Sequence, residues 1–380
     1  MRVCFFGTYE KKIHSNRTII EGLKKNNIEV IECHGSLVDN IDDKSNILSK
    51  NKFLFFLKLV KIYFRLIISQ FKIKNYDIII VGYVGQYDVF LAKFFSVILK
   101  KPLVFAPLVS LYDTFVEDRE KFLKESFLAK IMYYMDKKSC KLADMIFLDT
   151  QTHAEYFSKE FNIPISKFRR VWVGTNENVF YPVQQLKNEQ KKFTVVYYGK
   201  YIPLHGVEYI LDAAKVLLSN ESIHFLFVGI GQLYQNCENR IKSESIKNIT
   251  LVSSFFSENE LLNYIRDADI CLGIFGITKK SARVIPNKVY DCIGMGKPVI
   301  TRDSPAIKEI FTHEKNIFLC KEGSGEEIAK SIIFLKEHPE IREKIGEGAK
   351  KIFKENFSWD VIGKDIVIYL NELNTKKIMQ

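Results

Sequence analysis

Short apolar runs alternate with amphipathic stretches along almost the whole chain. Several runs, such as DIIIVGY at 77–83, are continuously apolar, which is typical of strands buried on both faces between layers of helices. Stretches with a helical period, such as 207–218, separate these runs. The predicted strands are 2–7, 28–34, 77–83, 102–108, 143–150, 167–174, 194–200, 224–231, 249–254, 269–275, 298–303 and 316–320.

This alternation predicts an α/β fold built from two doubly wound, Rossmann-like domains. The stretch 114–142 is predicted to form one long helix. Residues 176–193 are polar and show no period, so they are predicted to link an N-terminal domain, 1–175, to a C-terminal domain, 194–355. Ligands are expected at the carboxyl ends of the strands, between the domains.

Composition narrows the class of protein. The chain of 380 residues is 47% hydrophobic and 27% charged, which is ordinary for a globular protein with sizeable cores. Its seven cysteines are scattered and form no C-x-x-C pair, which favours a reducing compartment over a disulfide framework or a zinc site. The first residues are predicted to form a strand and not a signal peptide, so we expect a cytoplasmic protein.

The net charge of +11 suits nucleic acid, a membrane surface or an acidic small molecule. Residues 51–74 carry the most informative charges, because Lys58, Lys61 and Arg65 share one helical face and interrupt an apolar run that could otherwise span a bilayer. The apolar residues on the other faces are Phe53, Phe56, Leu57, Val60, Phe64 and Ile67. Two interpretations stay open: a basic helix in the membrane interface, or a crossover helix packed on a sheet.

Two glycine-containing turns in the second half follow predicted strands. In GKYIPLHG, Gly199 allows close approach of a ligand, and Lys200 and His205 lie where an anion would meet a helix N-terminus. The alternative is a plain strand-turn-helix connection with a solvated lysine. In FVGIGQ, Gly229 and Gly231 form only a lone G-x-G, which does not predict an NAD site.

The stretch 283–300, RVIPNKVYDCIGMGKPVI, predicts a helix that begins near Pro286. Lys288 and Asp291 are three residues apart and share a face near the start of this helix. A lysine at a helix N-terminus suits a diphosphate, and a carboxylate one turn deeper can accept hydrogen bonds from a ribose diol. The alternative is an ordinary capped helix in which Asp291 favours the helix dipole.

Together these motifs resemble the retaining glycosyltransferase family 4. The motifs are GKYIPLHG, FVGIGQ, DICLGIF, PNKVYD followed by MGKPVI, and VGTN with F-x-P at 173–182, and they occur in the family's order over essentially the whole chain. The resemblance implies the GT-B fold, in which two Rossmann-like domains present parallel sheets to a central cleft. It implies that the nucleotide sugar lies mostly on the C-terminal domain, and that a last helix, roughly 356–370 within 356–380, packs back on the N-terminal domain.

The resemblance also assigns roles to residues. The family's diphosphate-binding arginine and lysine match Lys200 and His205, both departures from the pattern, and Lys288 is expected to supply the missing charge. The ribose-binding glutamate that ends the E-x7-E signature matches Asp291, whereas Arg283 stands where the first glutamate belongs. A further donor-binding glutamate matches Glu309.

The N-terminal half offers weaker candidates. Gly7 and Thr8 end the first strand and are expected to line the cleft and contact the donor. The family often has a histidine after the fourth strand, but here the acids in that region are Asp113 and Asp118, which we treat as catalytic candidates together with Lys200. The alternative for both acids is helix capping with solvated charge.

The expected function is therefore the retaining, metal-independent transfer of a hexose from a nucleotide sugar, preferably a UDP-sugar. No D-x-D pattern lies where a metal-dependent transferase places it, and no cofactor besides the donor substrate is expected. The expected acceptor is a glycan or a polyprenyl-linked glycan, used in surface polysaccharide synthesis at the inner face of the membrane, with contact through 51–74. Nucleic acid is not an expected partner. Two alternatives remain, a GT-B sugar-nucleotide epimerase and a degenerate GT-B binding protein.

Overall fold

The chain folds into two compact units. The computed structural model describes residues 1–36, 52–73, 75–183, 192–254 and 256–378, with side chains left out of the description at 52–56 and 376–378. The first unit is Met1–Val173 together with Trp359–Gln380, and the second is Gly174–Ser358. The predicted linker 176–193 therefore begins inside the second unit, and its stretch 184–191 lies outside the described residues.

The first unit is built on a parallel sheet with the strand order β2-β1-β3-β4-β5-β6. Strands β3, β4 and β5 are buried along their whole length, as their continuous apolar runs predict. The strands are β1 (Arg2–Gly7), β2 (Glu29–His34), β3 (Ile78–Val81), β4 (Leu103–Phe105), β5 (Met145–Leu148) and β6 (Phe168–Arg170).

Helices cover both faces of this sheet. The strand order reverses after β2, so right-handed crossovers place α1 on one face and the following helices on the other. The helices are α1 (His14–Lys25), α2 (Lys52–Lys72), α3 (Asp88–Ile98), α4 (Phe127–Leu142), α5 (Gln151–Phe161) and, at the end of the chain, α13 (Trp359–Ile378). The inner sides of α2 and α3, through Ile62, Leu66 and Phe95, join one core with the sheet.

The second unit repeats this architecture with the strand order β12-β11-β10-β7-β8-β9, again all parallel. Its strands are β7 (Phe193–Tyr198), β8 (Ile223–Val228), β9 (Ile249–Val252), β10 (Ile270–Leu272), β11 (Val299–Arg302) and β12 (Phe318–Cys320). Its helices are α6 (Val207–Val216), α7 (Tyr234–Ser243), α8 (Glu258–Arg266), α9 (Asn287–Gly294), α10 (Pro305–Lys308), α11 (Gly325–Glu337) and α12 (Pro339–Asn356). Each predicted strand coincides with an observed one, so the predicted α/β fold is confirmed.

The prediction of one long helix over 114–142 was wrong. A short π-helix, Asp113–Asp118, comes first, and α4 begins only after Ser126. Ser126 has an extended backbone and its hydroxyl accepts a hydrogen bond from the amide of Ala129, so it caps a new helix.

The last helix packs directly on α1 within the first unit. Its Gly363 lies against the backbone of Gly22, and a Cβ atom at Gly22 would lie 2.8 Å from the carbonyl oxygen of Trp359. The side-chain amide of Asn26 donates to the carbonyl oxygens of Gly22 and Asp360, at 2.9 Å each. The two helix backbones can approach this closely only because neither glycine carries a side chain.

We expect Gly363→Ala to destabilise the chain by about 1–3 kcal/mol, because the added methyl group meets backbone that cannot yield. At a helical position without such a close contact, glycine to alanine would instead stabilise the chain by about 1 kcal/mol. The sign of the measured change therefore distinguishes a close contact from an open position. Urea unfolding measures it. Ile368→Ala, at an exposed position of α13, is the matched control and should change the free energy of unfolding by less than about 0.5 kcal/mol. A Gly363→Ala variant as stable as the parent would contradict the close approach.

Candidate functional site

Glycine turns shape the carboxyl edge of the second sheet. Gly199 follows β7 with φ +131°, and Gly229 follows β8 with φ +134°, a region that favours glycine. A Cβ atom at Gly229 would collide with the carbonyl group of Gly199. The amide of Gly199 donates to the carbonyl oxygen of Val228 at 2.9 Å. Gly229 thus supports the turn at Gly199 through backbone packing.

The ammonium group of Lys288 lies beside this turn. Lys288 occupies the first turn of α9 and is buried. Its Nζ is 3.5 Å from Nδ1 of His205 and 4.1 Å from the centroid of the Tyr197 ring. A Cβ atom at Gly199 would lie 3.4 Å from the same Nζ. The structure therefore brings together Gly199, His205 and Lys288, three residues that the sequence analysis predicted for one site.

Burial has a large effect on the charge of Lys288. Removal from water disfavours the ammonium form and lowers the pKa of Lys288 to about 7. The neighbouring Tyr197 ring offers a cation–π contact, but His205 and Tyr197 carry no formal negative charge at neutral pH. An anion that reached this group would therefore meet a strongly interacting and poorly solvated cation.

His205 connects the two turns that flank Lys288. Its Nδ1 lies 2.9 Å from the hydroxyl oxygen of Tyr197, and its carbonyl oxygen accepts a hydrogen bond from the amide of Phe275 at 3.0 Å. Phe275 belongs to the segment after β10. The imidazole is thereby fixed between the end of β7 and the segment that leads into α9.

The segment between β10 and α9 is held by Arg302, a residue that the sequence analysis missed. The buried guanidinium group of Arg302 donates to the carbonyl oxygen of Gly276 and to Oγ of Ser281, the latter at 2.6 Å. The amide of Ala306 donates to the carbonyl oxygen of Ala282 at 3.2 Å. The only sequence sign of this role was a basic residue at the end of an apolar strand, PVITR.

Asp291, one turn after Lys288, is buried and hydrogen-bonded within the second unit. The hydroxyl group of Thr175 donates to its Oδ1, and the hydroxyl oxygen of Tyr198 lies 3.1 Å from its Oδ2. The carboxylate thus joins β7, α9 and the start of the second unit. Arg283, which stands at the position of the family's first glutamate, is also buried and does not face solvent.

The other donor-site candidates of the second unit are more peripheral. Lys200 is exposed, and its carbonyl oxygen accepts a hydrogen bond from the hydroxyl group of Tyr197 at 3.0 Å. Glu309 is half-buried at the C-terminal end of α10.

In the first unit, the turn after β1 is hydrogen-bonded to the buried carboxylate of Asp88. The amide and the hydroxyl group of Thr8 both donate to Oδ2 of Asp88, at 2.7 and 3.0 Å, and the hydroxyl group of Tyr63 donates to Oδ1 at 2.8 Å. A Cβ atom at Gly7 would collide with the same carboxylate. Burial raises the pKa of Asp88. Gly7 and Thr8 therefore end β1 as predicted, but the polar groups of Thr8 bind Asp88.

The acids predicted as catalytic candidates are both buried in the π-helix. Asp113 and Asp118 are shielded from solvent, and the side chain of the capping residue, Tyr112, makes no capping hydrogen bond. The alternative was therefore wrong in expecting solvated charge at these two acids. The preceding loop is held by Asp136 of α4, which accepts from the hydroxyl group of Ser110 at 2.7 Å, and burial raises the pKa of Asp136 to about 6.

The second unit matches a known family. Residues 182–352 fit the family model described as glycosyl transferases group 1, a little under half of the chain. A relative in Haemophilus influenzae, an uncharacterized glycosyltransferase, is 25% identical over 169 residues, which are 44% of this chain and 45% of that protein. An uncharacterized glycosyltransferase of Methanocaldococcus jannaschii is 23% identical over 247 residues, 62% of each chain. A chitobiosyldiphosphodolichol beta-mannosyltransferase of Candida albicans is 25% identical over 248 residues, 61% of this chain and 54% of that protein.

The chain thus spans about half of the length of the curated relatives that it matches. Solved structures match over nearly its whole length. HepE of Anabaena in complex with UDP-glucose matches with a TM-score of 0.68 at 15% identity, covering 98% of this chain and 100% of that one. Sucrose-phosphate synthase of Thermosynechococcus elongatus matches with a TM-score of 0.72 at 15% identity, covering 99% and 100%. The chain has the GT-B fold, with a parallel six-stranded sheet in each unit.

We expect Asp291→Ala to destabilise the chain, because it removes the acceptor of the buried Thr175 hydroxyl group and one acceptor of the Tyr198 hydroxyl group, which also donates to the carbonyl oxygen of Lys288 at 3.2 Å. Each buried group that loses its partner costs about 1–3 kcal/mol. A double-mutant cycle in urea with Thr175→Val tests the cause, since the double variant should lose less than the sum of the single variants. Asp303→Ala, which removes an exposed carboxylate paired with Lys308 at 2.7 Å, is the control. An additive cycle would contradict the contact.

Proposed function

We propose that the protein is a retaining glycosyltransferase of family 4 that uses a UDP-sugar as donor. The observation that carries this proposal is the buried ammonium group of Lys288 at the N-terminus of α9, beside the backbone of Gly199 and the imidazole of His205. Free amide groups at a helix N-terminus and a lysine beside them form a binding site for a diphosphate. We assign donor binding to the second unit and acceptor binding to the first.

Lys288 explains how the site works despite its departures from the family pattern. Lys200, which is exposed, stands in place of the family's arginine. His205 stands in place of its lysine, and a histidine is in general only partly charged at neutral pH. Lys288 Nζ lies 3.5 Å from the His205 ring, so its charge occupies the position that the missing lysine would serve. Compared with the family pattern, the proposed phosphate-binding charge comes from the start of α9 and not from the turn before α6.

Asp291 remains our candidate for the ribose hydroxyl groups. Its oxygens are already hydrogen-bonded to Thr175 and Tyr198, but a carboxylate oxygen can accept more than one hydrogen bond. A ribose hydroxyl group would share the acceptor with Tyr198. We propose Glu309, Gly229 and Lys200 as further contributors around the donor.

The proposed chemistry needs no metal ion, because the Lys288 ammonium and the N-terminus of α9 would stabilise the negative charge of the departing diphosphate. In the retaining reaction, the bond between the anomeric carbon and the phosphate oxygen breaks, and the acceptor oxygen attacks from the same face. The departing phosphate takes the acceptor's proton, so the reaction does not require a strong protein base. This route leaves a positioning role for Asp113 and Asp118.

For the acceptor we propose a glycan or a lipid-linked glycan of surface polysaccharide synthesis, glycosylated at the cytoplasmic face of the membrane. HepE, which shares the fold and was crystallised with UDP and UDP-glucose, supports the choice of donor. Two observations support the acceptor. One relative is named for a diphosphodolichol substrate. The helix α2 also combines exposed lysines with exposed apolar side chains.

A panel of sugar nucleotides tests the proposal. A UDP-sugar should raise the melting temperature and be hydrolysed slowly, with turnover that persists in EDTA, and the first-formed sugar anomer seen by NMR should keep the donor's configuration. Conversion of the donor to its epimer would support the epimerase alternative. Stabilisation without turnover towards any acceptor would support a binding protein, and no stabilisation by any UDP- or GDP-sugar would overturn the enzyme.

We expect Lys288→Met to weaken UDP-glucose binding by about ten- to hundredfold, as expected for loss of a charged hydrogen-bond partner. Isothermal titration calorimetry measures the change. Lys279→Met is the matched control, because Lys279 is an exposed lysine in the same segment before α9. Equal affinities of the two variants would refute the diphosphate role of Lys288.

The affinity for UDP-glucose should also fall as the pH rises. The pKa of Lys288 is about 7 in the empty site, and a bound diphosphate would raise it, since an opposite charge favours the ammonium form. Between these two pKa values binding takes up a proton, so affinity falls by up to about tenfold per pH unit above pH 7. UDP-glucose has no terminal phosphate monoester, so its own charge stays constant. The Lys288→Met variant should show a flatter profile between pH 6 and pH 9, within the range set by these pKa values.

A further inference from the structure

The outer faces of α2 and α3 expose large apolar side chains in two helical stripes. Phe64 and Phe71 of α2 are 62% and 61% exposed, and Phe94 and Val97 of α3 are 55% and 65% exposed. The full set is Leu57, Val60, Phe64, Ile68 and Phe71 on α2, with Phe90, Phe94, Val97, Ile98 and Leu99 on and just after α3. We call these residues the α2–α3 surface.

Side-chain contacts join the two helices that carry these stripes. The helices lie side by side, because Tyr63 of α2 donates a hydrogen bond to Asp88 at the start of α3. Further along, the ring of Phe71 contacts the ring of Phe95 at 5.5 Å between centroids, and Phe95 contacts Phe94 at the same distance. The second stripe was not predicted from the sequence. Exposed apolar patches of this extent mark a site of interaction.

Basic residues border this surface, and the described helices α2 and α3 expose no acid of their own. Each of Lys58, Lys61, Arg65 and Lys72 follows an apolar residue of the α2 stripe by one position, or about 100° around the helix. Lys100 and Lys101 follow the end of α3. The sequence of α2 contains no acid, and the single acid of α3, Asp88, is buried.

We propose that the α2–α3 surface docks on a lipid bilayer rich in anionic lipids. Its apolar stripes would enter the acyl boundary while the bordering lysines and arginines bind the negative headgroups. A second copy of the chain fits this surface poorly, because a two-fold interface would set the basic residues of α2 and α3 against themselves, and these two described helices expose no acid to pair with them. The bilayer supplies both the apolar phase and the negative charge.

Docking would bring the enzyme to a lipid-linked acceptor, and in this respect the inference rests on the proposed function. It makes α3 an equal part of the docking surface beside the basic helix. Among the residues that the structure describes, no helix is long and apolar enough to cross a membrane. Docking would therefore place α2 and α3 in the plane of the interface.

Co-sedimentation of the full chain with vesicles tests the proposal. The vesicles are phosphatidylcholine alone and phosphatidylcholine mixed with phosphatidylglycerol. We expect the parent protein to bind the mixed vesicles, and the double variant Phe94→Ser, Val97→Ser in α3 to bind them about tenfold more weakly or worse. The variant Lys61→Gln, Arg65→Gln should lose about thirtyfold on the mixed vesicles and little on phosphatidylcholine.

Ile368→Ser is the matched control, since Ile368 is 54% exposed on α13, in the other helical layer of the same unit, and it should bind like the parent. The melting-temperature shift with UDP-glucose, measured on the same samples, reports the fold and the donor site separately from docking. A parent that stays in the supernatant overturns the inference, as does an α3 variant that binds normally. Self-association that the α3 variant abolishes, without vesicle binding, would assign the surface to a second copy.

Discussion

The burial of the Lys288 ammonium group is the constraint on which the carboxyl edge of the second sheet depends. Removing an ammonium group from water is unfavourable, and this desolvation lowers the pKa of Lys288 to about 7. The group keeps its place because its surroundings are fixed independently. Gly229 supports the turn at Gly199, and His205 is tied to the segment after β10 by its carbonyl oxygen. A buried ammonium group has already lost most of its hydration, so binding an anion requires less further desolvation than it does for an exposed lysine.

The same turn of α9 carries a second buried charge with the opposite role. Asp291 lies three residues after Lys288, and its carboxylate accepts hydrogen bonds from Thr175 and Tyr198. Both of these hydroxyl groups are uncharged. Asp291 thus anchors the helix to β7 and to the start of the second unit. A lysine paired with the aspartate would make a more stable helix and a poorer site for a diphosphate.

The strands could be predicted because burial on both faces leaves a continuous apolar run that no other element shares. From the residues alone, Lys288 and His205 could be predicted only as two separate helix starts, since 83 residues separate them in the sequence, and the family resemblance was needed to assign them to one site. Arg302 could not be predicted, because its partners, a backbone carbonyl group, Ser281 and Glu322, lie in distant parts of the sequence. The exposed stripe of α3 was missed for a different reason: eight of the ten residues from Phe90 to Leu99 are apolar, and such a helix is normally buried.

In the first unit, one buried carboxylate joins the α2–α3 surface to the turn after β1. Asp88 begins α3, and it accepts hydrogen bonds from Tyr63 of α2 and from both donors of Thr8. A movement of α2 relative to α3 would break the bond to Tyr63 and leave a buried charge with fewer partners, which is costly. Gly7 lies so close to this carboxylate that any side chain there would collide with it. Asp88 therefore links α2, the start of α3 and the turn after β1 in one hydrogen-bonded cluster.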